Sequence, residues 1–116
     1  MVDTRTKIVP ATEAARLAAF GATVVSGYFD PLLPSHADRL ECLKRPGAPL
    51  VVLIADPGDA ILPARARAEL VAALRVVDYV AESPDGIQPH HRLEQEDQRR
   101  REELIALVHS RQSAAS

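Results

Sequence analysis

The chain has 116 residues, of which 47% are hydrophobic and 26% charged, so it is long enough for one modest core and too short for two. Its formal net charge of −2 gives no electrostatic basis for binding nucleic acid. The longest apolar run, residues 49–55, is far shorter than a membrane span, and the N-terminus lacks a secretory signal pattern. The single cysteine, Cys42, cannot form an internal disulfide, which is typical of a cytoplasmic protein.

The first half of the chain alternates helical and strand patterns. An alanine-rich segment predicts a helix over residues 12–20, and the apolar residues that follow predict a short buried strand over 22–26. Ser35 has the residue type of an N-cap, and Asp38 stands three positions later in the pattern of a capping box. We therefore expect a second helix from Ser35 to about residue 44.

The middle of the chain continues the alternation. Residues 49–55 form a continuous apolar run, which is typical of a central strand covered on both faces. Pro63 suits the first position of a helix to about residue 75, and residues 76–81 predict a third strand. Strands that alternate with helices pair in parallel, so we predict an α/β fold: a small Rossmann-like sheet of about three strands with helices on both faces.

The C-terminal segment has a different character. Residues 92–111 predict a long helix whose first half is nearly all polar, while an apolar face is confined to Leu104, Ile105, Leu107 and Val108. This helix either lies solvated over the body or docks its last turns on a partner. Residues 112–116 predict a disordered tail, and residues 1–116 are expected to form a single domain.

The junction between the first strand and the second helix is the most informative stretch for function. A glycine turn beginning at Gly27 leads into a helix start that carries His36. The first turn of a helix leaves backbone N–H groups unpaired, and the helix dipole makes that end attractive to anions such as phosphate.

This stretch resembles the nucleotide-binding signature of the nucleotidyltransferase superfamily, in which glycine, one further residue and Phe-Asp precede His-x-Gly-His. Four residues match it: Gly27, Phe29, Asp30 and His36. Leu33 stands at the position of the first histidine and Ser35 at that of the glycine. The likeness extends over residues 8–82 and is closest to heptose-phosphate adenylyltransferases, with glycerol-phosphate cytidylyltransferases more distant.

The resemblance implies transfer of an adenylyl or cytidylyl group from ATP or CTP, with Mg²⁺, to a sugar or polyol phosphate. It assigns His36 as catalytic, and it assigns seven residues to nucleotide binding: Gly27, Tyr28, Phe29, Asp30, Ser35, Asp56 and Arg67. The loop of residues 57–62 lacks the family's lysine, and the family's closing serine-threonine motif is absent. These losses predict impaired or lost activity; the alternative is a non-catalytic nucleotide-binding or oligomerising relative, a pseudoenzyme.

Several side chains allow a plainer interpretation. His36 could be half-exposed helix surface, and Tyr28 could stack on a base or fill the turn. Arg67 could reach a phosphate, or pair with Glu69 or Asp59 on the surface. The histidines do not have the spacing of a helical zinc site, so no metal site is predicted.

The expected strand count has a consequence for assembly. Family members add two strands beside the first one, and a three-stranded version leaves residues 22–26 as an exposed edge, which proteins usually cover. We therefore expect a homodimer through this edge or through the last helix, unless a separate chain supplies the missing strands.

Overall fold

The computed structural model describes residues 4–82, 86–95, 99 and 106–107. A short 3-10 helix, Thr4–Lys7, precedes the regular elements, which follow in the order α1 (Ala11–Ala19), β1 (Thr23–Gly27), α2 (Pro34–Leu43), β2 (Leu50–Ile54), α3 (Ala64–Ala72), β3 (Tyr79–Glu82) and β4 (His91–Arg92). The alternation confirms the predicted α/β class. Among the described helices, none has both the length and the apolar character needed to cross a membrane.

The sheet is parallel throughout, and its strand order is β3-β2-β1-β4. Strand β1 pairs with β2 from Thr23 opposite Leu50 to Gly27 opposite Ile54. All five residues of β2 are buried, because helices cover both faces of the sheet. The third strand begins at Tyr79, later than predicted.

The predicted count of about three strands is too low, and β1 is not an edge strand. The two-residue strand β4 pairs in parallel with β1, with His91 opposite Val25 and Arg92 opposite Ser26. At the other side of the sheet, Ile8 forms an isolated parallel bridge to Val80 of β3. Strand β4 and Ile8 are therefore each far in sequence from the strand with which they pair.

Alternate residues of β2 enter two separate hydrophobic clusters. Leu50, Val52 and Ile54 pack with apolar residues of α2 and α3, including Leu40 and Val71. On the other face, Val51 and Leu53 pack with Ala14 of α1 and with Val24. Helices therefore lie on both faces of the sheet, as predicted.

The late helix falls only in part within the described residues. Residues 93–95 are helical, as are residues 99 and 106–107. The rest of the predicted helix over 92–111, and the whole predicted disordered tail over 112–116, lie outside the described residues.

Candidate functional site

The Gly27–His36 segment crosses the carboxyl edge of the sheet at its topological switch point. From β1 the chain proceeds to β2 and β3 on one side, whereas β4 lies on the other side of β1. Open parallel sheets bind ligands in the crevice formed where the strand order reverses in this way. The segment runs from the end of β1 into the first turn of α2, so it lies where such a ligand would bind.

The packing of Phe29 requires a glycine at position 27 of this turn. Phe29 adopts a positive φ of 50°, and its ring is buried against Gly27. A Cβ on Gly27 would lie 2.6 and 2.7 Å from two ring carbons of Phe29, far inside van der Waals contact. The glycine is therefore explained by packing within the chain, without a ligand.

His36 is part of the helix start. Its imidazole is buried, and Nδ1 accepts a hydrogen bond of 3.0 Å from the backbone N–H of Leu33. The ring meets Phe29 edge to face, with 5.3 Å between ring centroids. With Nδ1 as acceptor, the neutral imidazole donates only through Nε2. The alternative of a half-exposed surface histidine is therefore wrong.

The predicted cap of α2 is also wrong. Leu33, not Ser35, is the N-cap residue, and the side chain that accepts the N-cap N–H is that of His36 instead of Asp38. The physical reason is Pro34, which has no N–H to leave unpaired and favours the first helical position. The helix therefore begins one residue earlier than predicted.

Ser35 is the polar residue that this helix start leaves exposed. The N–H groups of His36 and Ala37 both donate to the carbonyl of Leu33, at 3.0 and 3.3 Å. Ser35 has a backbone N–H without an intrahelical acceptor, as first-turn residues do, together with a hydroxyl. The Leu33 side chain is 48% exposed and offers no polar group.

Asp30 joins this segment to the loop that follows β2. Its carboxylate accepts hydrogen bonds from the backbone N–H groups of Ile61, at 2.7 Å, and Leu62, at 2.8 Å. The Ile61 hydrogen bond, helped by that of Leu62 and by the charge of Arg67, lowers the pKa of Asp30 despite an opposing desolvation. Asp30 therefore orders the loop after β2 through hydrogen bonds to the chain itself.

Arg67 does not have the predicted surface role of pairing with Glu69 or Asp59. The residue is only 2% exposed, and its Nε donates to the carbonyl of Leu62 at 3.1 Å. Its Nη1 donates to the carbonyls of Tyr28, at 3.0 Å, and Ala55, at 2.7 Å. A single guanidinium thus fastens three backbone segments together at the carboxyl edge of the sheet.

The remaining residues of the sequence predictions lie near Arg67 along the chain or in the same turn. Glu69 lies 3.3 Å from Arg65 rather than pairing with Arg67. Asp56 is exposed just beyond β2, and its Oδ1 accepts a hydrogen bond of 2.8 Å from the Gly58 N–H, which closes the turn. Tyr28 is partly buried.

Sequence reasoning missed Glu94, which bridges the switch point. The Ser26 hydroxyl lies 2.7 and 2.8 Å from the two carboxylate oxygens of Glu94 and donates its proton there. The two residues are 68 positions apart, so no local pattern could have linked them. The bridge brings a further carboxylate to the end of β1.

The site is therefore poor in available cations. Asp30, Asp56 and Glu94 contribute carboxylates, whereas the guanidinium of Arg67, the one that is buried among the described residues, already bonds three carbonyls. Across the described ranges, no three His, Cys, Asp or Glu side chains are grouped so that they could hold a metal ion. With no carboxylate cluster for Mg²⁺ among the described residues and Arg67 already bonded to carbonyls, the residues present do not fit a magnesium–triphosphate complex.

Comparison with known proteins adds no relative to this picture. No protein-family model matches the sequence, and no curated protein matches it either. What the site does must therefore be inferred from the parallel sheet, the switch point and the groups assembled there.

Proposed function

We propose that the chain is a nucleotidyltransferase-like domain without catalytic activity, which binds a nucleotide through its phosphate at the end of β1. The observation that carries the proposal is the position of the Gly27–His36 segment. It leads from the carboxyl end of a parallel strand into the start of a ten-residue helix, at the switch point of a sheet with the order β3-β2-β1-β4.

The binding groups are those of the α2 start. Ser35 combines an exposed hydroxyl with a first-turn N–H, and the helix dipole adds partial positive charge at this end. Tyr28, partly buried in the same turn, supplies an aromatic ring beside the phosphate position for the base or sugar. The nearby carboxylates favour a ligand of low charge over a triphosphate.

Loss of catalysis follows from the groups that are missing or occupied. Nucleotidyl transfer relies on donors aimed at charge that develops on the phosphate, and loss of one such donor reduces the rate by about 10²–10³-fold. The Leu33 side chain, at the position of the first histidine, cannot donate. Arg67 is committed to carbonyls, and residues 57–62 contain no lysine.

Of the two arguments for a homodimer, the structure contradicts the one from an exposed edge of β1. Strand β1 is covered by β4, so it offers no open edge to a second copy. The other argument rests on the apolar face of the late helix, and most of that face lies outside the described residues. Leu107, which is described, is 49% exposed. Nucleotide binding as proposed needs only one copy of the chain.

Isothermal titration with the monophosphates AMP and CMP, and with ATP and CTP for comparison, tests the proposal on the wild type and on Ser35→Asp. The helix dipole stabilises a carboxylate near the start of α2, so this variant should stay folded. The same carboxylate should repel a phosphate bound there. His36 is unsuitable for this test because it is buried and holds the helix start. Ala15→Glu, on the exposed surface of α1, makes the same change in net charge away from the site.

We expect saturable binding of one nucleotide to the wild type and to Ala15→Glu, at least roughly tenfold weaker binding to Ser35→Asp, and no pyrophosphate release. Absence of binding at millimolar nucleotide, or equal binding by all three proteins, would overturn nucleotide binding at this helix start. Pyrophosphate release on addition of a sugar phosphate would refute the loss of catalysis.

A further inference from the structure

Strand β4 is attached to β1 by side chains as well as by backbone. Its regular pairing covers only two residues of β1, Val25 and Ser26. One position earlier, the Val24 N–H donates to Nδ1 of His90 at 3.0 Å, and the His90 N–H donates to the Val24 carbonyl at 2.8 Å. The imidazole thus takes the place that a strand carbonyl would occupy in a longer ladder.

This hydrogen bond depends on the protonation of His90. Nδ1 accepts only while it lacks a proton, because a charged imidazole donates from both nitrogens. Protonation at Nδ1 would set two N–H groups against each other. Val24 is 0% exposed while β4 is in place, so its N–H would then lack an acceptor until the strand opens to water.

Of the two histidines in this segment, His90 is the one whose ring nitrogen accepts a hydrogen bond from β1. Strand β1, against which β4 packs, contains no titratable side chain. On the segment of His90 itself, the described charged or titratable groups are His91, Arg92 and Glu94; Arg92 bonds the Gln88 amide oxygen at 3.2 Å, and Glu94 accepts from the Ser26 hydroxyl. Histidine is the side chain that ordinarily titrates between about pH 5 and 8, whereas carboxylates ordinarily stay ionised there.

We propose that His90 is a proton-sensitive latch for β4: neutral His90 fastens the start of β4 to β1, and mild acid loosens that start and uncovers the edge of β1 at Val24. The Ser26–Glu94 bridge and the buried Leu93 limit the movement to a local opening. The latch is independent of nucleotide binding.

Amide hydrogen exchange measured by NMR at about pH 7.5 and about pH 5.5 tests the latch, with rates corrected for intrinsic exchange. In the wild type, we expect protection of the Val24 amide to fall by roughly tenfold or more at the lower pH, the factor that corresponds to one lost hydrogen bond. His90→Asn presents an amide oxygen that does not titrate, so its protection should be nearly the same at both values. His91→Asn, on the same strand, serves as the matched control and should behave as the wild type does.

Equal protection of the Val24 amide at both pH values in the wild type would overturn the latch, as would a pH-dependent loss that persists in His90→Asn. A second measurement needs no variant, because an N–H···N hydrogen bond transmits a nitrogen–nitrogen coupling. That coupling between Val24 N and His90 Nδ1 should be present at the higher pH and lost at the lower one, and its absence at the higher pH would refute the latch even if His90→Asn failed to fold.

Discussion

Gly27→Ala is the sharpest test of how the candidate site is built. The added methyl group would lie 2.6 and 2.7 Å from the Phe29 ring, whereas carbon atoms in contact ordinarily lie about 3.5–4.0 Å apart. The ring must therefore retreat by about 1 Å. It has little room to do so, because it is buried and also packs edge to face against His36.

The expected magnitude combines two opposing effects. Overpacking of a buried site costs about 1–3 kcal/mol. Gly27 does not have a positive φ, so alanine meets no backbone strain there and stabilises by about 0.4–1 kcal/mol through the unfolded chain. The net destabilisation should be about 1–2 kcal/mol.

Urea unfolding followed by far-ultraviolet circular dichroism measures this change, and a double-mutant cycle with Phe29→Leu isolates its cause. Leucine lacks the ring atoms that meet the new methyl group, so Gly27→Ala should destabilise the Phe29→Leu variant by at least about 1 kcal/mol less than it destabilises the wild type. Equal destabilisation in both backgrounds, or none in the wild type, would refute the steric explanation of this glycine.

Two further substitutions test the contacts at the carboxyl edge. Arg67→Met should lower the free energy of unfolding by about 2–4 kcal/mol, because three carbonyls lose their donor. Arg67→Lys should recover less than half of that loss, since one ammonium cannot reproduce the planar guanidinium. Urea unfolding measures both changes, and a change below about 0.5 kcal/mol in Arg67→Met would contradict the expected role of Arg67. Asp30 has a lowered pKa in the folded state, so its contribution to stability is present above the ordinary aspartate value and is lost as pH falls through the lowered one. The melting temperature should therefore decline less steeply below about pH 4 in Asp30→Asn than in the wild type or in the exposed control Asp59→Asn, and parallel curves would count against the loop contact.

The main strands can be predicted because short apolar runs in the sequence indicate buried strands. Strand β2 is an unbroken apolar run, and such a run occurs where both faces of a strand are covered. Strand β4 has no such signal. Its two residues are polar, and it pairs with β1 with help from the His90 side chain, which meets Val24 across 66 positions of sequence.

The candidate site shows the same limit. The sequence places the turn after β1 and the helix start to within one or two residues, but the roles of their side chains depend on tertiary contacts. Arg67 resembles a surface cation in sequence, and its burial follows only from the convergence of carbonyls from three separate segments. Gly27 and Phe29 match a ligand-binding signature, yet each is sufficiently explained by the other.

The sheet order also has a consequence for synthesis of the protein on the ribosome. Strand β1 is made early, but the partner that closes its outer side follows late, since Val24 and His90 are 66 positions apart. At an elongation rate of about 5–20 residues per second, β1 waits roughly 3–13 s for that partner. During this interval the nascent chain presents an apolar strand whose outer edge is unpaired, so chaperone capture or misassembly between neighbouring nascent chains should act most strongly just before residue 92 emerges.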